Sequence, residues 1–105
     1  LSAYIIFIRE KTIDKEELGL YSQKAPAGLA GHPVTPLAVY GTYQVIEGPD
    51  VEGAAILSFP FLEEAKAWYY SQAYQDALKH RLRGGIYRGI IVEGILNNGS
   101  EKDEQ

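Results

Sequence analysis

The side chain best suited to acid–base chemistry here is His32, since a free imidazole titrates at about 6.5, close to neutrality. It stands in GHPVTP (31–36), a stretch whose Gly and Pro content marks a loop, just ahead of Pro33, where a side chain can reach over the end of a sheet. Loop histidines are also commonly just solvated, and both readings stand. Arg9 continues an otherwise apolar run, AYIIFIRE (3–10). It can meet Glu93 or Glu47, or point into a pocket as an anion anchor. Trp68 follows Leu62 and Ala65 at i, i+3, i+6 spacing, and Tyr69 lies four residues after Ala65. Both therefore fall on the side a helix turns toward its sheet. With Tyr43 they could wall a pocket in which His32 is the acid–base group and Arg9 the anchor. The competing role for these aromatics is core, because each buries about 150–250 Å² and a small protein needs that volume.

Other groupings carry less chemistry. His80 lies four residues after Asp76, so the two can pair along one helix face. Lys79 and Arg83 beside them point to a wet surface. Lys79, His80, Arg81, Arg83 and Arg88 form the one basic concentration, mostly at a helix C-terminus, where cations offset the negative end of the dipole. The alternative is a site for a carboxylate or phosphate. Two histidines without a ligand-spaced carboxylate set are too few for zinc. Gly84-Gly85 lacks the lysine and spacing of a phosphate loop. A haem would want an axial histidine, and His32 is a poor one. No metal and no cofactor is expected.

The elements that must position these residues read clearly. Residues 3–10 are apolar, β-branched or aromatic, and too short for a buried helix, so they predict a strand. Asp14, three residues before Glu17, opens a helix in the manner of a capping box. Leu18, Tyr21, Ala25 and Leu29 follow on one face, and Pro26 interrupts that helix near Lys24. LAVYGTYQVIE (37–47) predicts a second strand with a bend at Gly41, and GPDVEG (48–53) a turn leading into a third strand, GAAILSFP. FPFLEEAKAWYYSQAYQ (59–75) begins a second long helix that Gly84-Gly85 ends. Its Tyr70 faces outward, whereas Tyr74 shares a packing face with Ala77, Leu78 and Leu82. IYRGIIVEG (86–94) predicts the fourth strand. The reading is one domain over 1–95, with a flexible polar tail over 96–105.

Composition sets the outer limits. The chain has 105 residues, 46% hydrophobic and 23% charged, which places it among ordinary globular proteins. Ten Lys+Arg against fourteen Asp+Glu give a net charge of -4, a poor balance for nucleic acid. The absence of cysteine removes disulfides, thiolate nucleophiles and Cys-ligated metals. No apolar run approaches the roughly 20 residues of a membrane span, so a cytoplasmic protein is the expectation. Methionine is absent and Leu1 comes first, so the natural start is expected upstream.

The order β-α-β-β-α-β is that of a ferredoxin-like α+β fold, two helices covering one face of a four-stranded antiparallel sheet. A sheet with one wet face should alternate apolar and polar residues. Ile5 to Ile8, Ala54 to Leu57 and Ile90 to Val92 do not alternate. Four strands about 18 Å long at about 4.8 Å spacing give a face of roughly 350 Å². At about 25 cal/mol per Å² that is on the order of 9 kcal/mol, comparable to a domain's whole net stability. The simplest cover is a second copy packed face to face about a two-fold axis. A homodimer forming one barrel is expected.

Particular residues add a family. Glu47-Gly48, Phe59-Pro60, Glu64-Ala65-Lys66-Ala67-Trp68-Tyr69, Ser71, Tyr74-Gln75 and Val92-Glu93-Gly94 resemble the pattern of domain of unknown function 1330, within the dimeric α+β barrel superfamily. The resemblance runs from Tyr4 to Gly94. It implies the ferredoxin-like fold and the dimer, and brings no reaction. Departures are Pro33-Val34 where relatives resemble one another in a Gly-Gly pair, Val39-Tyr40-Gly41 in place of Arg-Gly-Gly, and Phe61 in place of a Ser-like helix cap. Losing such a cap costs about 1 kcal/mol, which Phe61 would offset by packing as a hydrophobic staple. Two function classes follow. One is a cofactor-free enzyme or binder for a small aromatic or acidic metabolite, in a pocket between helices and sheet. The other is a non-catalytic dimeric module.

Overall fold

The computed structural model describes residues 1–96, so the polar tail expected over 96–105 lies, apart from Leu96, outside the described residues. The elements are β1 (Ala3–Thr12), α1 (Lys15–Lys24), a 3-10 segment (Ala25–Leu29), β2 (Thr35–Val39), β3 (Gly53–Phe59), α2 (Leu62–Tyr69), α3 (Gln72–Gly84) and β4 (Gly85–Glu93). The strands form one sheet in the order β2-β3-β1-β4, every neighbouring pair antiparallel. This is the α+β, ferredoxin-like arrangement that the sequence predicts.

Local chemistry explains most boundaries. The Asp14 carboxylate caps α1, accepting from the N–H groups of Glu16 at 3.0 Å and Glu17 at 3.4 Å. Pro26 sits at the start of the 3-10 segment, where its missing N–H costs nothing. The long second helix is in fact two. The Ser71 hydroxyl accepts from the Tyr74 N–H at 3.3 Å and donates to the Trp68 carbonyl at 2.7 Å, so it stops α2 and starts α3 at one residue. Phe61 caps α2 without a side-chain hydrogen bond and stays 55% exposed, so no staple forms there. Glu63 and Glu64 in the first turn favour the positive end of the helix instead. The second strand is shorter than its β-forming sequence suggests. Pairing with β3 ends at Val39↔Ala55, and Tyr40 turns away at φ 52°. Residues 41–47 have no strand beside them.

The two sheet faces differ in cover, not in character. Ala3, Ile5 and Phe7 of β1 with Ala55, Leu57 and Phe59 of β3 are buried and join Trp68, Tyr74 and Leu78 from the helices in one core. On the opposite face Ile6 is flanked by Ile56 and Ile90, and Tyr4 by Ser58 and Val92. Ile90 is 58% and Val92 44% exposed. This face is apolar and carries no helix among the described residues.

Candidate functional site

The inner face of α3 sets the polar features of the interior. A helix advances about 100° per residue, so Tyr74, Ala77, Leu78 and Arg81 form one stripe, with Arg81 near its centre. All four are buried, whereas Leu82 is 67% exposed. The expected packing role of Leu82 therefore falls to Arg81, which lies almost a full turn-multiple from Tyr74.

Tyr74 is fully buried, and its hydroxyl lies 2.8 Å from that of Tyr21 on α1. Burial raises the pKa of both phenols above the ordinary 10.0, so both stay neutral across the physiological range. Tyr40 is raised as well, chiefly by burial. Its left-handed backbone is held by an N–H bond to the Ala54 carbonyl at 2.8 Å and by the Arg9 guanidinium 4.8 Å from its ring centre. A non-glycine residue in that conformation costs on the order of 1–3 kcal/mol and persists only where its surroundings fix it.

Two cavities have Phe7 in their lining. The first, of about 300 Å³, lies between α1, the 3-10 segment and strands β2 and β3. Leu29, Val39 and Leu57 give it apolar walls, and Tyr21, Tyr40 and Trp68 bring the aromatic part of its lining. Trp68 is 2% exposed, and its Nε1–H has no hydrogen-bond partner. A buried donor without an acceptor costs about 1–3 kcal/mol, so the site is short of one acceptor.

The second cavity, of about 260 Å³, lies between the helices and β1–β4. Tyr69, Tyr70, Ile5 and Ile91 line it beside Arg81. Gly89 stands opposite Phe7 in the register, and a Cβ there would approach the Phe7 ring to 3.0 Å. The Arg81 guanidinium carbon lies over two rings, 4.4 Å from the Phe7 centre and 4.8 Å from that of Tyr87. Its Nε and Nη1 are buried without partners, and no described carboxylate lies within ion-pair distance. Cation–π contacts return about 0.5–2 kcal/mol. Desolvating a charge costs several kcal/mol, so the rings alone leave Arg81 under-compensated.

The residues singled out by sequence are not gathered at one place. Trp68 lines the first cavity and Tyr69 the second, although they are adjacent on one helix. Arg9 meets neither Glu93 nor Glu47. Its Nη2 donates to the Glu52 carbonyl at 3.1 Å and its Nε lies 3.6 Å from the Glu52 carboxylate. Tyr43 is 51% exposed and its hydroxyl donates to the Val51 carbonyl at 2.9 Å. His32 is half-buried in the loop before β2, tied by its backbone to Leu29 and Val34, and lines neither cavity. His80 pairs with Glu17 across the α1–α3 contact at 2.8 Å, and Asp76 instead takes Gln72 and Lys79. Tyr21 is an interior polar group that sequence reasoning did not single out, and Arg81 entered it only within the basic cluster whose alternative reading was a carboxylate or phosphate site. Among the described residues no three His, Cys, Asp or Glu side chains converge to hold a metal. No helix of the described residues is long and apolar enough to cross a membrane.

Comparison with known proteins agrees with this fold. Residues 2–95 match the family described as domain of unknown function (DUF1330). No curated protein matches the sequence. A protein of unknown function from Rhodopseudomonas palustris superposes with a TM-score of 0.70 at 13% identity, over 90% of this chain and 82% of that one. A dimeric protein of unknown function and ferredoxin-like fold from Bacteroides fragilis gives 0.62 at 14% identity, over 89% and 96%. SnoaB, a cofactor-independent oxygenase from Streptomyces nogalater, gives 0.58 at 7% identity, over 93% and 97%. At these identities the likeness is one of fold.

Proposed function

Because this chain belongs to the DUF1330 family, a domain described by its lack of known function, we propose that it is a homodimer in which each protomer binds one small, mainly apolar molecule. The molecule occupies the cavity between α1, the 3-10 segment and the sheet. The observation that carries this reading is an apolar cavity of about 300 Å³ with Trp68, whose buried Nε1–H has no partner, in its lining. That volume is at the lower end of the roughly 300–1,000 Å³ of ligand pockets, which limits the guest to one or two rings. Its walls favour an aromatic or aliphatic body, and the indole N–H favours a carbonyl or hydroxyl oxygen on it. The homodimer rests on the apolar, helix-free sheet face, and the likeness to a dimeric protein of the same fold is in keeping with it. The reading assigns binding and no reaction. His32, the acid–base candidate, lines neither cavity.

Native mass spectrometry of freshly purified protein tests both parts. The expected result is a dimer carrying additional small mass. Ala55→Leu, which places a larger side chain in the cavity wall, should release that mass and leave the dimer intact. A bare dimer whose Trp68 emission also ignores added 2-naphthol would refute ligand binding. A monomer would refute the assembly.

A further inference from the structure

We propose that Arg81 anchors the carboxylate of a small planar acid in the second cavity. Arg81 is 5% exposed, and two of its three guanidinium nitrogens are buried without a partner. The carboxylates nearest along the helices are already engaged: Asp76 by Gln72 and Lys79, and Glu17 by His80 and Arg83. Neither does a phenolate supply the missing charge, since Tyr21 beside it is held neutral by burial. The side chain is thus a buried cation with no described counter-ion, in a protein of net charge -4.

The surroundings select the class of anion. The Phe7 and Tyr87 rings lie against the guanidinium, their centres 4.4 and 4.8 Å from its central carbon. A planar guanidinium matches a carboxylate in its own plane better than a point charge would. Tyr69 and Ile91 line the rest of the space, which suits a ring attached to that carboxylate. Tyr70, at 70% exposure, stands at the mouth. About 260 Å³ admits a single ring with a short acid arm and little more. Phe7 lines both cavities, whereas Trp68 lines only the first and Arg81 only the second.

The test is a titration of the full-length, ¹⁵N-labelled protein with sodium benzoate, with sodium chloride at matched ionic strength as the control. The Arg81 Nε–H and Trp68 Nε1–H signals are followed separately. Benzoate should shift the Arg81 signal saturably, and neutral benzamide should bind at least about tenfold more weakly. Arg81→Lys should lose benzoate binding by about tenfold or more, since an ammonium lacks the planar fork. Tyr70→Ala removes only an exposed side chain at the mouth and should weaken binding severalfold in a protein that still folds. An Arg81 signal that does not move, or moves equally with chloride, overturns the proposal whatever the variants do. So does a preference for inorganic phosphate over benzoate. Movement of the Trp68 signal alone would place benzoate in the first cavity and refute this site while supporting the other.

Discussion

Replacing Ile90 and Val92 together by threonine should break the dimer without unfolding the protomer. The two side chains are 58% and 44% exposed, so together they leave about one side chain's worth of apolar surface in water. Fully burying an Ile or Val contributes about 1.5–3 kcal/mol. A two-fold interface closes over both copies, so these positions contribute about 3–6 kcal/mol per dimer. Threonine keeps one methyl and the β-branched shape that suits a strand, but its hydroxyl costs free energy to bury in an interface unless it finds a hydrogen-bond partner. Roughly half the contribution, about 1.5–3 kcal/mol, should be lost, raising the dimer dissociation constant about 10- to 150-fold. Within the protomer the loss is smaller, because the helices pack on the opposite face. Sedimentation equilibrium over a range of concentrations reads the dissociation constant, and urea denaturation reads the protomer. If wild type and variant dissociate alike, the apolar face is not the interface. If the wild type is monomeric throughout, the argument from two apolar faces fails entirely.

The tyrosine pair gives two further expectations. Tyr21→Phe strands the Tyr74 hydroxyl in the core and should cost about 1–3 kcal/mol, whereas Tyr21→Phe with Tyr74→Phe removes both groups and should cost less than the two single changes together; additive costs in urea denaturation would mean the 2.8 Å contact does not couple them. Alkaline conditions probe the same phenols. The pKa values of Tyr21, Tyr40 and Tyr74 lie above the ordinary 10.0, so below about pH 10 folded and unfolded chains both hold these protons. Above it the unfolded chain releases them first, and stability should fall as pH rises. The urea midpoint should drop above about pH 10, less steeply in the double phenylalanine variant; equal slopes would refute the contribution of this pair.

Much of the fold could be read from residue types because its signals are local. β-Branched runs predict β1, β3 and β4, Asp14 predicts the start of α1, and Pro26 and Gly84-Gly85 predict where helical structure changes or stops. The missing alternation in the strands also exposed a non-local fact, that the second sheet face is apolar. Two boundaries were not legible. Residues 41–47 have strand-forming types, but a strand needs a neighbour, and the β3 ladder has ended by Val39↔Ala55. The break at Tyr70 and Ser71 hides inside a continuous helical pattern, because a serine that caps one helix looks like a serine exposed on another. Its one signal is position, three residues before Tyr74.

The site was harder to read for a different reason. A basic cluster at a helix C-terminus has a sufficient explanation in the dipole, and that explanation absorbed Arg81 with its neighbours. Helical phase separates them. From Tyr74, Arg81 is seven residues on and returns to within about 20° of the same direction, while Leu82 lies about 80° away. A stripe of Tyr74, Ala77 and Leu78 therefore continues into a cation, and the leucine goes to solvent. Phase alone could have predicted a buried arginine. It could not have predicted the lack of a partner, since that depends on Glu17 being held by His80 and on Phe7, Tyr21 and Tyr87 converging from other elements. Trp68 and Tyr69 make the same point. About 100° apart on one helix, they look like a single aromatic wall in sequence, yet they line two different cavities. A core that had only to be stable could place a leucine at 81 and leave no charge to compensate. The burial of Arg81 among aromatic rings is therefore best accounted for by what it can hold.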